Sequence, residues 1–254
     1  MRSCLPSIAV LSILSSRLFA GPITVDGHWT DWGIQPGGGD WSSSTGQRIF
    51  YEDYTGSDGG AYVGPGWGGQ YFDVEAIYAQ RAGQDLYFAI VTGFDPDGVI
   101  YLGSPYTPGD IFLNAGNGWN VGIDLETGHV FTGATSTNPA DFPASAPFTI
   151  AGGTDIGATA LSVPFDGSPL VYGSGNQTST HFFFEGYLDL TRIGGADGPV
   201  GIHWTMSCGN DVGRGYIGYV EPPAVPEPGT LGLLGIGSLA AAVVHRRRQR
   251  SGRP

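Results

Sequence analysis

Short apolar runs separated by glycine-rich polar turns recur along the chain. The clearest pair is residues 73–78 and 86–92, joined by a polar link that contains Gly83, and this pattern predicts a β-hairpin. Its second run is continuous rather than alternating, which is typical of a strand buried on both faces. Residues 119–124 and 129–132 predict another hairpin, closed by a Gly-ended loop. Further strands are predicted at residues 49–51, 111–113, 160–163, 181–190 and 202–208.

Composition supports an all-β fold. The chain has 44 Gly and 18 Pro, which would interrupt helices of normal length, and no amphipathic helix is evident between the termini. Many short strands between glycine-rich turns predict an antiparallel β-sandwich of jelly-roll or immunoglobulin-like type. Residues 36–46, 54–69 and 132–147 are predicted to be loops, and the last of these offers no partner strand.

The two ends of the chain predict export. Residues 1–20 combine a positive start, an apolar core and a cleavage site after Ala20, as in a secretory signal peptide. Residues 21–222 form the predicted ectodomain, and residues 223–254 hold a Pro-rich spacer, a hydrophobic helix and an Arg-rich tail. The apolar stretch 231–244 would extend only about 21 Å as a helix, which is short for a bilayer core.

A Pro-Glu-Pro motif precedes this apolar stretch, and an arginine cluster follows it. The motif consists of Val225, Pro226, Glu227 and Pro228. This order closely resembles the PEP-CTERM sorting signal of bacterial envelope proteins. The resemblance implies an exosortase-type processing enzyme as a partner and transient anchoring in the membrane before processing, with an envelope, surface or extracellular-matrix destination. An ordinary single-span anchor is the alternative.

The region between the sorting segments is strongly acidic. Residues 21–222 contain four Arg, no Lys and 22 acidic residues, a formal charge of −18. Such a surface repels nucleic acid and anionic lipid, so neither is expected as a partner. Cys208 is the one cysteine in this region. An internal disulfide is therefore excluded, and we expect Cys208 to be a buried small hydrophobe.

No catalytic motif is evident in the sequence. His203 and Cys208 are an odd number of residues apart, so they would face opposite sides of a regular strand and could not act together. Asp73 and Glu75 share one strand face, where they fit a solvated surface or a cation site better than an active site. A carboxylate-dependent glycoside hydrolase remains the enzymatic alternative, because such enzymes need two carboxylates across a cleft.

Calcium is the predicted candidate cation, although no cofactor is required. Asp95 and Asp97 lie on one turn beside backbone carbonyls, and hard oxygen ligands suit Ca²⁺ outside the cell. The same Asp-Pro-Asp-Gly segment is also ordinary turn chemistry. The other candidate ligands are Asp73, Glu75, Asp110 and Asp26.

Several tryptophans lie in or near predicted turns, where flat rings can stack on sugar faces. These candidates for glycan stacking are Trp29, Trp32, Trp41, Trp67 and Trp119. The alternative is that they are core anchors, as alternation along residues 202–208 predicts for Trp204.

The segment ITVDGHWTDWG, followed by YFDVEAIYAQRAGQDLYFAIVTGF, resembles family 9 carbohydrate-binding modules and related DOMON-like sandwich domains. This resemblance implies a sandwich fold and sugar binding. The sequence as a whole therefore predicts an exported, envelope-sorted surface or matrix protein that binds extracellular polysaccharide without catalysis. A purely structural matrix or surface-layer component is the third hypothesis.

Overall fold

The computed structural model describes residues 23–34, 41–51, 62–63, 66–67, 70–162, 170–174 and 177–218. The predicted signal peptide, the sorting segment with its hydrophobic helix, and most of the loop predicted at residues 54–69 lie outside this part of the chain. Among the described residues, no helix is long and apolar enough to cross a membrane.

The described residues form two six-stranded antiparallel sheets, which confirms the all-β prediction. The first sheet has the order β1 (Gln47–Tyr51), β4 (Ala76–Ala82), β5 (Asp85–Thr92), β14 (Gln177–Asp189) and β12 (Leu161–Ser162), and β13 (Leu170–Ser174) also pairs with β14. The second has the order β11 (Ile150–Ala158), β10 (His129–Ser136), β9 (Val121–Ile123), β8 (Ile111–Asn114), β15 (Val200–Thr205) and β16 (Val212–Ile217).

Two short hairpins and three 3-10 helices lie outside the two main sheets. Two short hairpins pair β2 (Tyr62–Val63) with β3 (Gly66–Trp67) and β6 (Val99–Tyr101) with β7 (Ser104–Tyr106). Short 3-10 helices span Gln70–Phe72, Pro143–Ser145 and Leu190–Ile193.

The main hydrophobic core lies between the two sheets and draws on both. Phe184 of β14 and Trp204 of β15 meet edge to face, with ring centroids 5.4 Å apart. Along β15, Ile202 and Trp204 belong to this core, so strand alternation turns Gly201 and His203 to the outer face of the second sheet. The core positions predicted for Trp204 and Cys208 are confirmed.

A second hydrophobic cluster covers the outer face of the first sheet. In it, Trp32 and Trp41 of the N-terminal segment pack with Tyr78 of β4 and Phe183 of β14. Glu185 ties the segment down: its Oε1 accepts the N–H groups of residues 26 and 27 at 2.7 and 2.6 Å, and its Oε2 accepts the Trp32 Nε1–H at 2.8 Å. The first sheet is therefore buried on both faces over this region.

Several parts of the fold differ from the sequence prediction, among them β13 and the β2–β3 hairpin, which were not predicted. The loop predicted at residues 132–147 is wrong at its start, because β10 continues to Ser136 and pairs with β11. The strands β11 and β16 were not predicted. Their sequences, IAGGTDIGA and VGRGYI, have glycines at positions where a recognisable strand has apolar residues. The β6–β7 hairpin was missed as well.

Candidate functional site

The structure separates the five tryptophans that the sequence grouped together. Trp32 and Trp41 are buried, so the prediction that they stack on sugars is wrong: both rings are core anchors for the N-terminal segment. Trp29 packs, partly buried, against the same cluster. Trp67 lies in β3, and its side chain lies outside the described part of the structure. Trp119 alone of the described indoles lies at the outer face of the second sheet.

The loop between β8 and β9 places Trp119 there. The Asn114 side-chain oxygen accepts the N–H groups of Gly116 and Gly118, at 2.9 and 3.1 Å. Both glycines have positive φ angles, 110° and 87°, which residues with a Cβ rarely adopt. At the end of the loop, the Asn120 carbonyl accepts the Ala134 N–H at 2.7 Å. The loop is thus tied at both ends, and it returns Trp119 toward β15.

Trp119 meets Tyr216 above Gly201. Gly201 of β15 lies between Asn114 of β8 and Tyr216 of β16 in the sheet register. A Cβ on Gly201 would lie 2.7 Å from both aromatic rings, so only glycine leaves room for them. The ring centroids are 5.8 Å apart and the rings are inclined by 49°. Trp119 is half-buried, whereas Tyr216 is 49% exposed. We call Trp119, Gly201, Arg214 and Tyr216 the aromatic notch.

Arg214 borders the notch and is held by two hydrogen bonds. Its Nε–H donates to His203 Nδ1 at 3.2 Å, and its Nη2–H donates to the Ala146 carbonyl at 2.8 Å. The guanidinium carbon lies 5.2 Å from the centroid of the Trp119 ring, a distance at which a cation is attracted to the π face.

His203 is a neutral ring that accepts the hydrogen bond of Arg214. Burial and the charge of Arg214 lower the pKa of His203 to about 3. Because Nδ1 accepts from Arg214, the ring proton is on Nε2, which donates to the Pro147 carbonyl at 2.7 Å. His203 therefore orients Arg214 and is not placed to act as a base.

A second concave feature is an acidic groove of about 450 Å³ at the end of the sandwich where β8 begins. Its lining residues are Pro96, Asp97, Thr107, Pro108, Asp110, Asp124, Leu125, Glu126 and Thr149. Burial raises the pKa of Asp110, although backbone N–H groups of Ile150 and Leu125 oppose the rise. Those groups donate to Oδ2 at 2.7 Å and to Oδ1 at 3.1 Å. Asp110 thus joins three chain segments.

The predicted calcium ligands lie in different surroundings. Asp73 and Glu75 precede β4, which begins at Ala76, so the prediction that they share a strand face is wrong. Both are buried rather than solvated, and Glu75 Oε1 is 2.8 Å from His181 Nε2. Asp95 Oδ1 accepts the Asp97 N–H at 2.9 Å, as expected for a simple turn. Asp26 makes a similar local turn with the His28 N–H. Within the described ranges, no group of three or more His, Cys, Asp or Glu residues could hold a metal ion.

Cys208 and His203 do not form a catalytic pair. Cys208 belongs to the main core, and burial raises the pKa of its thiol to about 11. His203 lies on the outer face, bonded to Pro147 and Arg214. The thiol is therefore protonated at neutral pH and unsuited to nucleophilic attack.

Tyr216 and Arg214 were not predicted as site residues. The segment VGRGYI of β16 alternates glycines with Arg214 and Tyr216. Such alternation indicates a strand that presents its long side chains on one face, and it was the available signal. Nothing local in the sequence relates these residues to Trp119, which lies almost a hundred positions earlier.

Comparison with known proteins bears on the C-terminal segment. A family model for the PEP-CTERM protein-sorting motif matches residues 224–248, which include Val225 to Pro228. The predicted sorting signal is thereby confirmed: the chain is an exported, envelope-sorted protein, and the motif implies processing by an exosortase-type enzyme. No curated protein and no solved structure matches the chain. The resemblance to family 9 carbohydrate-binding modules and DOMON-like domains is not supported by these comparisons.

Proposed function

We propose that this exported, envelope-sorted β-sandwich binds extracellular polysaccharide at the aromatic notch, without catalysing a reaction on it. One observation carries the proposal: Trp119 and Tyr216 present partly exposed rings side by side above Gly201, where a Cβ would lie 2.7 Å from each. β15 carries no side chain on its outer face at this point, and the space is taken by the two aromatic rings.

The chemistry of the notch suits a sugar. Aromatic rings stack on the apolar faces of pyranose rings, while neighbouring polar groups bond the hydroxyls. The 49° inclination of Trp119 to Tyr216 makes two walls rather than one flat platform, so one sugar can stack on one ring and touch the other with its edge. Asn117, exposed in the same loop, supplies an amide for a hydroxyl.

Two rival functions make different predictions. A glycoside hydrolase would use the acidic groove, whose Asp110 has the raised pKa expected of a general acid. Yet both Asp110 oxygens already accept backbone hydrogen bonds, which favours a structural role. A purely structural matrix component would bind no sugar at either place.

The test is a glycan array with the purified protein, with and without calcium. Trp119→Ala and Tyr216→Ala should each abolish or strongly weaken binding, whereas Tyr71→Ala should not, because Tyr71 is 64% exposed and lies outside the notch. A dependence on calcium would support the predicted cation, and release of shortened glycans would favour the hydrolase. Absence of binding to every glycan would refute the proposal.

A further inference from the structure

Arg214 differs from the other three arginines between the sorting segments. Arg81 donates to backbone carbonyls of residues 83, 196 and 198. Arg192 donates to those of residues 156, 157 and 158. Arg48 is half-buried, with its guanidinium 4.4 Å from the Tyr51 ring centroid. Of the four arginines, Arg214 is the exposed one.

Within the described part of the chain, no carboxylate pairs with the Arg214 charge. The ion pairs observed within 4.0 Å among the described residues join His129 to Asp155 and His181 to Glu75, and neither includes Arg214. Its Nε and Nη2 have the partners His203 and Ala146, while Nη1 makes no hydrogen bond within the same part of the chain. Arg214 is therefore an exposed cation that no carboxylate of the described residues neutralises.

The guanidinium is also pre-organised. Two hydrogen bonds and the Trp119 ring fix its orientation. Binding of a ligand therefore does not carry the entropy cost of immobilising a free arginine side chain. The planar fork of arginine matches a carboxylate or sulfate group better than a point charge does. These features place a fixed anion-binding group at the rim of the two aromatic walls.

We infer that the aromatic notch selects sugars that carry an anionic group, a uronate carboxylate or a sulfate ester, and that the free edge of the Arg214 guanidinium binds this group. The inference rests on the proposed function, because the sugar ring itself stacks on Trp119 and Tyr216. The acidic charge of the rest of the protein does not prevent this. Exposed charges farther away than the Debye length, about 8 Å at physiological ionic strength, are largely screened.

The experiment measures dissociation constants for three matched hexasaccharides, of galactose, galacturonate and galactose 6-sulfate. EDTA is present so that calcium cannot bridge a uronate to the protein's carboxylates. A charge-assisted hydrogen bond contributes roughly 1.5–3 kcal/mol, so the wild type should prefer an anionic hexamer over galactose by about 10- to 100-fold. The preference should fall as salt is raised from 50 to 500 mM, values chosen to span about one decade of ionic strength.

Variants separate this inference from the proposed function. Arg214→Gln should reduce the ratio of anionic to neutral affinity to about 1, and Arg214→Lys should restore only part of it. Arg192→Gln removes the same charge elsewhere and should leave the ratio as in the wild type. Trp119→Ala should abolish binding of all three hexamers.

Each outcome decides one question. A preference for galacturonate identifies the uronate as the ligand, and a preference for the sulfated hexamer identifies the sulfate. Equal affinity of the wild type for all three hexamers, with loss in Trp119→Ala, would overturn the inference and leave the proposed function standing. An anionic preference that persists in Arg214→Gln would also overturn it. Binding of no hexamer, together with an empty array, would refute both.

Discussion

Replacing Glu185 by glutamine should weaken the attachment of the N-terminal segment by about 1–3 kcal/mol. The amide oxygen can still accept the two backbone N–H groups that now lie 2.7 and 2.6 Å from Oε1. The amide nitrogen then faces the Trp32 Nε1–H, which lies 2.8 Å from Oε2 in the native protein. Two donors oppose each other in a buried position, and one unsatisfied buried donor costs about 1–3 kcal/mol. Glu185→Ala removes both acceptor oxygens and with them all three hydrogen bonds, and it should cost about 3 kcal/mol or more.

A double-mutant cycle isolates the Glu185–Trp32 contact. Trp32→Phe alone leaves Oε2 without its donor, but in Glu185→Gln the same change removes the opposing N–H. The double variant should therefore be more stable than the sum of the single effects predicts, by about 1–3 kcal/mol. Urea unfolding followed by far-UV circular dichroism measures the four stabilities without relying on tryptophan fluorescence. Additivity within about 0.5 kcal/mol would refute this account of how the segment is held.

Four further predictions follow from single residues. Gly201→Ala should weaken glycan binding about 10-fold or more while the fold persists, because its Cβ would lie 2.7 Å from both notch rings and 1.4 kcal/mol corresponds to about one decade; unchanged affinity on the array would contradict the notch. Leu102 is 91% exposed and has a φ of 50°. Leu102→Asn should raise the free energy of unfolding by about 0.5–1 kcal/mol, because Asn tolerates a positive φ, and a lower urea midpoint for the variant would count against this. The folded-state pKa of His203 is about 3, below its unfolded value of about 6.5. The unfolded state therefore binds more protons between these two pH values, and the contribution of His203 to the free energy of unfolding should fall by about 1.4 kcal/mol per pH unit as the pH drops. In urea unfolding at several pH values, His203→Asn should lack this pH dependence, and the same pH dependence in wild type and variant would disprove the prediction. Cys208, buried with a thiol pKa of about 11, should react with a thiol reagent only after unfolding, so rapid labelling of the native protein would contradict its core position.

Most strands were predictable because a strand's signal is local. The hairpin from β4 and β5 follows from an apolar run, a Gly-containing turn and a second apolar run, all within twenty residues. The strands β11 and β16 escaped prediction because glycines replace the apolar residues that would reveal the alternation. At Gly201 and Gly215 the absence of a side chain is itself a packing feature, since a Cβ would meet aromatic rings or the Ile49 backbone.

Local features of the sequence are enough to predict the all-β class and the sorting destination. Strand alternation is a property of neighbouring residues, and a processing enzyme reads a sorting signal as a linear segment, so neither depends on the arrangement of distant parts. Tertiary structure decided which tryptophans reach the surface and what surrounds them. Trp32 and Trp119 have similar local contexts of glycine and polar residues, but sheet order buries the first under Glu185 and brings the second to Gly201, Arg214 and Tyr216. Burial and convergence depend on long-range register, which local periodicity does not encode.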